Sequence, residues 1–287
     1  IQVAGREARR LKASDLGFAI GPRLNAAGRL DDMSLGIACL LAEDILSALP
    51  KARHLDALNQ ERRQIEGEMQ EQALIAIDKI YGSFSHHESA SGICLYDESW
   101  HQGVIGILAG RLKEKFQKPA IIFAKGQHDE LKASARSIAG LNIRDLLAAI
   151  DLKYPKLMLK FGGHAMAAGL SIQCNHFSKF KSAFEEMLAL HAIEIDNTIY
   201  SDGQLELQDF NLKTAMMINQ AGPWGQLFPE PCFDNQFEIL EQRLVGKHHL
   251  KLTLRPLGED IVIDAIALNI DFDLWPNQRI KRIHAVY

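Results

Sequence analysis

No closely spaced cysteine pair occurs in this chain. Cys39, Cys94, Cys174 and Cys232 stand far apart, without a C-x-x-C pair or a Cys/His set at zinc-ligand spacing. They read as buried thiols in a reducing cytoplasm. No apolar run reaches the roughly 18 residues a membrane helix needs, and no signal peptide is visible, which excludes a membrane role. There is no surplus of positive charge either: the net charge is −4. That excludes a uniformly basic nucleic-acid binder and leaves room for a local basic groove. Nor is there an acidic cluster to hold metals, because the adjacent Asp31 and Asp32 diverge on a helix, so no two-metal site is expected within this chain. What remains is 287 residues, 47% apolar and 24% charged, an ordinary globular composition with room for two domains. The chain opens on Ile1 in what reads as the middle of a domain, as a fragment would.

Gly17, Gly21, Pro22 and Gly28 predict a loop leading into a helix and displaying Arg23, Asn25 and Arg29. Asp31, Asp32 and Ser34 offer cap chemistry before the apolar run 35–41, for a helix reaching to about Asp44. From 51 to 80 there is no proline and one glycine, and Leu55, Leu58, Ile65, Met69, Ala73, Ile77 and Ile80 recur at helical spacing. This predicts a long connecting helix of the kind that bridges domains. Strands predicted at 93–96, 119–124, 131–134 and 170–172 alternate with helices near 103–115, 142–150 and 177–191, the pattern of an α/β domain over 88–192. Beyond 196, short strands at 205–207, 236–240, 250–254 and 261–268 are separated by turns at Gly246 and at Pro256-Leu257-Gly258. A helix over 211–219 precedes Gly222-Pro223-Trp224-Gly225. This part predicts an all-β barrel, with the oligonucleotide-binding OB type leading.

Two segments carry the chemistry. Lys160-Phe161-Gly162-Gly163-His164 sets the one side chain that titrates near neutral pH behind two glycines that let a ligand approach the backbone. A lone histidine is ordinarily a core residue; here the glycines favour a ligand-facing role. Lys132-Ala133-Ser134-Ala135-Arg136-Ser137 offers hydroxyls and a guanidinium with little bulk between them, which suits a phosphate. The bland alternative is a surface arginine after a strand. Ser134 has no general base placed to activate it, so it reads as a hydrogen-bonding group and not a nucleophile.

Trp100-His101-Gln102-Gly103-Val104-Ile105-Gly106 admits two readings: an anion site at a helix N-terminus with His101 at its mouth, or a glycine-rich helix packed tightly under a sheet. Among the C-terminal strands, Arg243, Lys247, His248, His249, Lys251 and Arg255 form a basic cluster, with Trp224, Phe228 and Phe233 available to stack bases. The alternative is an ordinary wet face over a filled barrel.

Taken together, Gly21-Pro22-Arg23-Leu24-Asn25-Ala26-Ala27-Gly28-Arg29-Leu30, Ser99-Trp100-His101-Gln102-Gly103, Ala133-Ser134-Ala135-Arg136-Ser137 and Phe161-Gly162-Gly163-His164-Ala165-Met166-Ala167-Ala168-Gly169 resemble the RecJ family of the DHH phosphoesterase superfamily. These motifs occur in the family's order and spacing, and the resemblance covers nearly the whole chain. It implies the tail of a DHH catalytic domain over 1–45, a connecting helix and linker over 46–87, a DHHA1 domain over 88–192 and an OB-fold nucleic-acid-binding domain over 195–287. It further implies a single-strand-specific 5′→3′ DNA exonuclease of DNA repair and recombination, with single-stranded DNA as partner. Mn²⁺ or Mg²⁺ would be bound by a DHH domain missing here, and none by this fragment, which would be inactive alone.

By the same resemblance Arg23, Ser134 and Arg136 hold the 5′-terminal phosphate, and His164 sits near the scissile phosphate as a catalytic residue. Asn25, Arg29, His101, Gly162 and Gly163 are possible substrate contacts, while Lys247, His248, Lys251 and Trp224 contact nucleic acid from the OB domain. Leu227-Phe228 departs from the family pattern and puts any role of that loop in question. Two other classes remain: a binding module without catalytic contribution, and a small-substrate phosphoesterase, against which the OB-like tail speaks.

Overall fold

The structure is a computed structural model that describes residues 1–81, 91–190, 198–225, 227–246, 248–272 and 274–287. It forms two compact units, Ile1–Asp196 and Asn197–Tyr287. Among the described residues no helix is long and apolar enough to cross a membrane. Of the four cysteines expected to be buried, only Cys94 is, and Cys174 is exposed.

In the first unit, α1 (Ala13–Asp15) passes through a π-helical turn, Leu16–Ile20, into α2 (Gly21–Leu30). The expected loop around Arg23, Asn25 and Arg29 is therefore helix. Pro22 stands in its first turn, where a missing N–H costs nothing and a fixed φ helps. Helix α3 (Ser34–Leu40) follows, and the Asp32 carboxylate accepts the Ser34 N–H at 2.8 Å. Helix α4 (Ile45–Tyr81, 37 residues) starts earlier than the expected 51, because it accommodates Pro50 near its beginning. Its length is about 55 Å at 1.5 Å per residue, and it serves two clusters in turn. Leu55 and Leu58 pack with Ala26 and Ala27 of α2; Met69, Ala73 and Ile77 pack with Trp100, Val104 and Leu108.

The sheet of this unit is built from β1 (Ile93–Tyr96), β2 (Ala120–Lys125), β3 (Glu130–Arg136), β4 (Lys160–His164) and β5 (Ala167–Gln173), in the order β1-β2-β3-β5-β4. Strands β1 and β2 are parallel, joined by α5 (Ile105–Phe116), and the remaining pairs are antiparallel. One face lies under α6 (Ile143–Lys153) and α7 (Phe177–Ala189), with Leu131, Ala133, Ala135, Leu170 and Ile172 pointing into it. Asn142 caps α6, accepting the N–H groups of Arg144 and Asp145. The opposite face of β1 and β2 is covered by α4 and α5. The Gly162-Gly163 stretch, which carries no strand propensity, is an edge strand. Gly163 has φ 150°, and a Cβ there would lie 2.4 Å from the Ala167 carbonyl oxygen, so glycine is required for this pairing.

In the second unit, α8 (Leu212–Ala221) is capped by Asn211, whose side chain accepts the Thr214 N–H at 3.0 Å. An antiparallel sheet is built from β6 (Asp234–Val245), β7 (His249–Pro256), β8 (Ile263–Ala267) and β9 (Arg282–Val286), in the order β8-β7-β6-β9. Phe237, Ile239, Leu250, Leu252 and Leu254 form its core. The strand expected at 205–207 does not form: Leu205 exchanges hydrogen bonds with the Asn235 side chain, and a 3₁₀ turn, Leu207–Asp209, follows. Strand β9, unexpected because arginine and histidine interrupt its short apolar alternation, pairs with β6 instead.

Candidate phosphate-binding site

Side chains at paired positions of an antiparallel sheet share a face, and residues two apart along a strand repeat it. Across β3, β5 and β4 the register gives three such rungs: Arg136, Ala167 and His164; Ser134, Gly169 and Gly162; Lys132, Ser171 and Lys160. They lie on the face opposite Ala133 and Ala135, the side on which α5 packs. Beyond α5 this face stays open, with Gly162, His164 and Gly169 exposed. A Cβ at Gly162 would meet nothing within 4 Å. The result is a shelf with cations along its edges and almost no side chain in its middle.

Helix α5 closes one end of the shelf. A Cβ at Gly106 would lie 3.0 Å from Ser134 Oγ and 3.1 Å from an Arg136 terminal nitrogen, so the first turn of the helix faces the serine and arginine directly. The positive end of a helix dipole and its free N–H groups favour an anion at such a place. Gly103 lets α2 approach: a Cβ there would stand 2.1 Å from the Arg29 carbonyl oxygen. His101 turns its Nδ1 inward to accept the Gly103 N–H at 3.1 Å, which fixes the loop ahead of the helix.

Arg29 thereby joins the group. Arg136 is held below the ordinary guanidinium range first by burial and then by the charge of Arg29. Arg29 is likewise lowered, by burial first and by Arg62 second, with Glu66 opposing. Glu66 itself is engaged by Arg62 at 2.5 Å and Arg111 at 3.1 Å. Arg136 bonds the Ala135 carbonyl at 2.9 Å and, weakly, Ser134 Oγ at 3.5 Å. Among the described residues, neither Arg29 nor Arg136 has a carboxylate partner of its own. Arg136, the Ser134 hydroxyl and the first turn of α5 meet, and Arg29, itself balanced in part by Glu66, acts on Arg136 as a like charge; such a group can receive a phosphate.

The other expected residues distribute differently. Arg23 donates Nε to Asp56 at 2.8 Å and a terminal nitrogen to the Ala19 carbonyl at 2.6 Å, so its guanidinium ties α2 to α4. Asn25 is an exposed residue of α2. His164 is exposed at the end of edge strand β4, in line with Arg136, at a distance of two strand spacings or roughly 10 Å. In the second unit, Lys251 is paired with Asp264 at 2.6 Å and Arg255 with Glu238 at 3.7 Å, so the expected basic cluster is partly neutralised across the strands. His248 meets the Phe272 ring edge-on and Trp224 leans on Phe228, with centroids 5.9 Å and 4.8 Å apart. Lys247 lies outside the described residues. Among the described residues no three of His, Cys, Asp or Glu converge as a metal ion requires.

Comparison with known proteins assigns the chain. The DHHA1 domain matches residues 89–190 and the RecJ OB domain matches residues 201–287. The single-stranded-DNA-specific exonuclease RecJ of Dickeya dadantii is 49% identical over 289 residues, covering 100% of this chain and 50% of that protein. The chain belongs to the RecJ family. It spans about half the length of the curated relatives it matches. The crystal structure of RecJ from Thermus thermophilus in complex with Mg²⁺ is similar, with a TM-score of 0.78 at 26% identity over 96% of this chain and 40% of that one. The corresponding Mn²⁺ complex gives 0.77 at 27% identity, over 96% and 38%. In RecJ-family terms the shelf lies within the DHHA1 domain, and Arg29 stands ahead of that domain, at the end of α2. The antiparallel sheet of the second unit is the RecJ OB domain.

Proposed function

We propose that this chain is the 5′-phosphate- and strand-binding part of a cytoplasmic single-strand-specific 5′→3′ DNA exonuclease of DNA repair and recombination. The observation that carries the reading is the meeting of Arg136 and Ser134 at the first turn of α5, with Arg29 adding its charge to that of Arg136. A terminal phosphate bears more charge than an internal phosphodiester, so such a pocket selects a 5′ end. The strand then leaves the pocket along the open shelf, and His164 at its far edge lies where a phosphodiester one step inward would pass. Arg29 takes the phosphate-holding place that the family resemblance implies for Arg23, whose charge is spent on Asp56. Within the OB domain, Trp224 with Phe228 and His248 with Phe272 offer π-faces on which bases of a single strand can stack.

RecJ of Thermus thermophilus is known in complex with Mg²⁺ and with Mn²⁺, and in the whole enzyme such an ion would supply the chemistry of phosphodiester hydrolysis. The share of the pocket residues is binding, orientation and exclusion of strands without a free 5′ phosphate. Titration with 5′-phosphorylated and 5′-hydroxyl oligothymidylates tests this. A preference for the phosphorylated end that disappears in Arg136→Ala supports it; equal affinities, unchanged in the variant, would leave a binding module with no end recognition.

A further inference from the structure

The terminal pocket uses two of the three rungs. The third, Lys132, Ser171 and Lys160, has its own features. Ser171 is 1% exposed, and its hydroxyl has no hydrogen-bond partner, an arrangement that costs free energy and persists where a ligand completes it. It sits at the floor of a groove of about 410 Å³ running over Gly162 and Gly169. Lys132 and Lys160 flank it on the neighbouring strands at the same register, and among the described residues neither has a carboxylate partner. The next position along β3 is Glu130, opposite Gln173, so the positive shelf ends there.

We propose that Lys132, Ser171 and Lys160 form a second phosphate subsite, for an internal phosphodiester of the same single strand. The proposal rests on the strand-binding reading above. Lys132 lies two rungs from Arg136, each rung being roughly 6.6 Å along the strand, so the subsite takes a phosphate within about two nucleotides of the 5′ end. The glycines between the two subsites leave room for the sugar of the intervening nucleotide. Lysines suit this place: an internal phosphodiester has one charge, and point-charge donors on flexible stems hold it without fixing the base above. As the lysine stems part around the phosphate, its oxygen satisfies the Ser171 hydroxyl.

The test is calorimetric titration, in EDTA, of 5′-phosphorylated thymidylates from one to four nucleotides in length. The chain is compared with its Lys132→Gln/Lys160→Gln and Ser171→Ala variants. The expected result is that all three bind the mononucleotide equally, while the lysine variant binds the tetranucleotide roughly tenfold more weakly. Its salt slope should be reduced by about 0.7 for each phosphate no longer neutralised. Ser171→Ala should also weaken the tetranucleotide, with a melting temperature equal to or above that of the parent, because an orphaned hydroxyl is removed. Wild-type length dependence in both variants, or no gain with length in the parent, overturns the subsite. The terminal pocket is judged separately, by the ratio of 5′-phosphoryl to 5′-hydroxyl affinity, which the subsite variants leave unchanged.

Discussion

Arg29, at the end of α2, and Arg136, on β3, act on one another as like charges: both are held below the ordinary guanidinium range by burial first, and the charge of Arg29 adds to the lowering at Arg136. Burying like charges near one another, with only Glu66 to offset Arg29, weakens the unliganded fold. The arrangement becomes favourable when an anion sits between them.

Replacing Arg29 by alanine should therefore do opposite things to stability and binding. The melting temperature of the unliganded chain rises or holds, while affinity for a 5′-phosphorylated oligonucleotide drops by about 1.5–3 kcal/mol, the worth of charge-assisted hydrogen bonds. Thermal melts and titrations on the same preparation check it. Loss of both together would make Arg29 a structural residue.

Arg23→Ala should show the reverse pattern. It removes the Asp56 pair and the bond to the Ala19 carbonyl, costing roughly 1–2 kcal/mol of stability. The preference for a 5′ phosphate stays. A variant that melts normally but no longer distinguishes the two ends would restore Arg23 to the pocket.

Gly106→Ala places a methyl group 3.0 Å from Ser134 Oγ and 3.1 Å from the Arg136 guanidinium, both of which are side-chain ends able to shift. The expected outcome is a modest change in melting temperature and a clear loss of phosphate affinity. Gly103→Ala meets the Arg29 backbone at 2.1 Å, which cannot yield so easily, and should destabilise by roughly 1–3 kcal/mol or more. Comparing the two by thermal denaturation separates crowding of the pocket from crowding of the fold.

Tyr287 gives a pH test confined to the second unit. Its hydroxyl donates to Asn235 Oδ1 at 2.7 Å, and burial, aided by Asp234, pushes it up to about 12 from 10.0. A group raised in the folded state supports the fold fully below its unfolded value and loses that support as pH rises through the folded one. The melting temperature of this unit should fall between about pH 10 and 12, and Tyr287→Phe should flatten the fall. Circular-dichroism melts across that range decide it.

What could be read without coordinates was whatever depends on near neighbours. Asn142 announces its helix because a cap acts on the next three residues, and the alternation in β7 shows its buried face directly. The pairing of Arg23 with Asp56 was not legible: Arg23 and Arg29 stand on one helix, and Asp56, which engages only the first, lies far along the chain. Strand β4 was hidden because its glycines carry no strand signal and its hydrogen bonds come from β5. The ion pairs within the basic cluster of the OB domain were not legible, since Asp264 and Glu238 meet Lys251 and Arg255 only through strand register. Ser171 gave no signal at all, because its orphaned hydroxyl is a property of burial.

The most direct measurement of the central claim is the ratio of affinities for 5′-phosphoryl and 5′-hydroxyl tetrathymidylate, taken for the parent chain, Arg29→Ala and Arg136→Ala. The account predicts a preference for the phosphate of roughly tenfold or more in the parent, by the charge-assisted bonds involved, and a ratio near one in both variants. A parent ratio near one, or a preference that survives both substitutions, would contradict it.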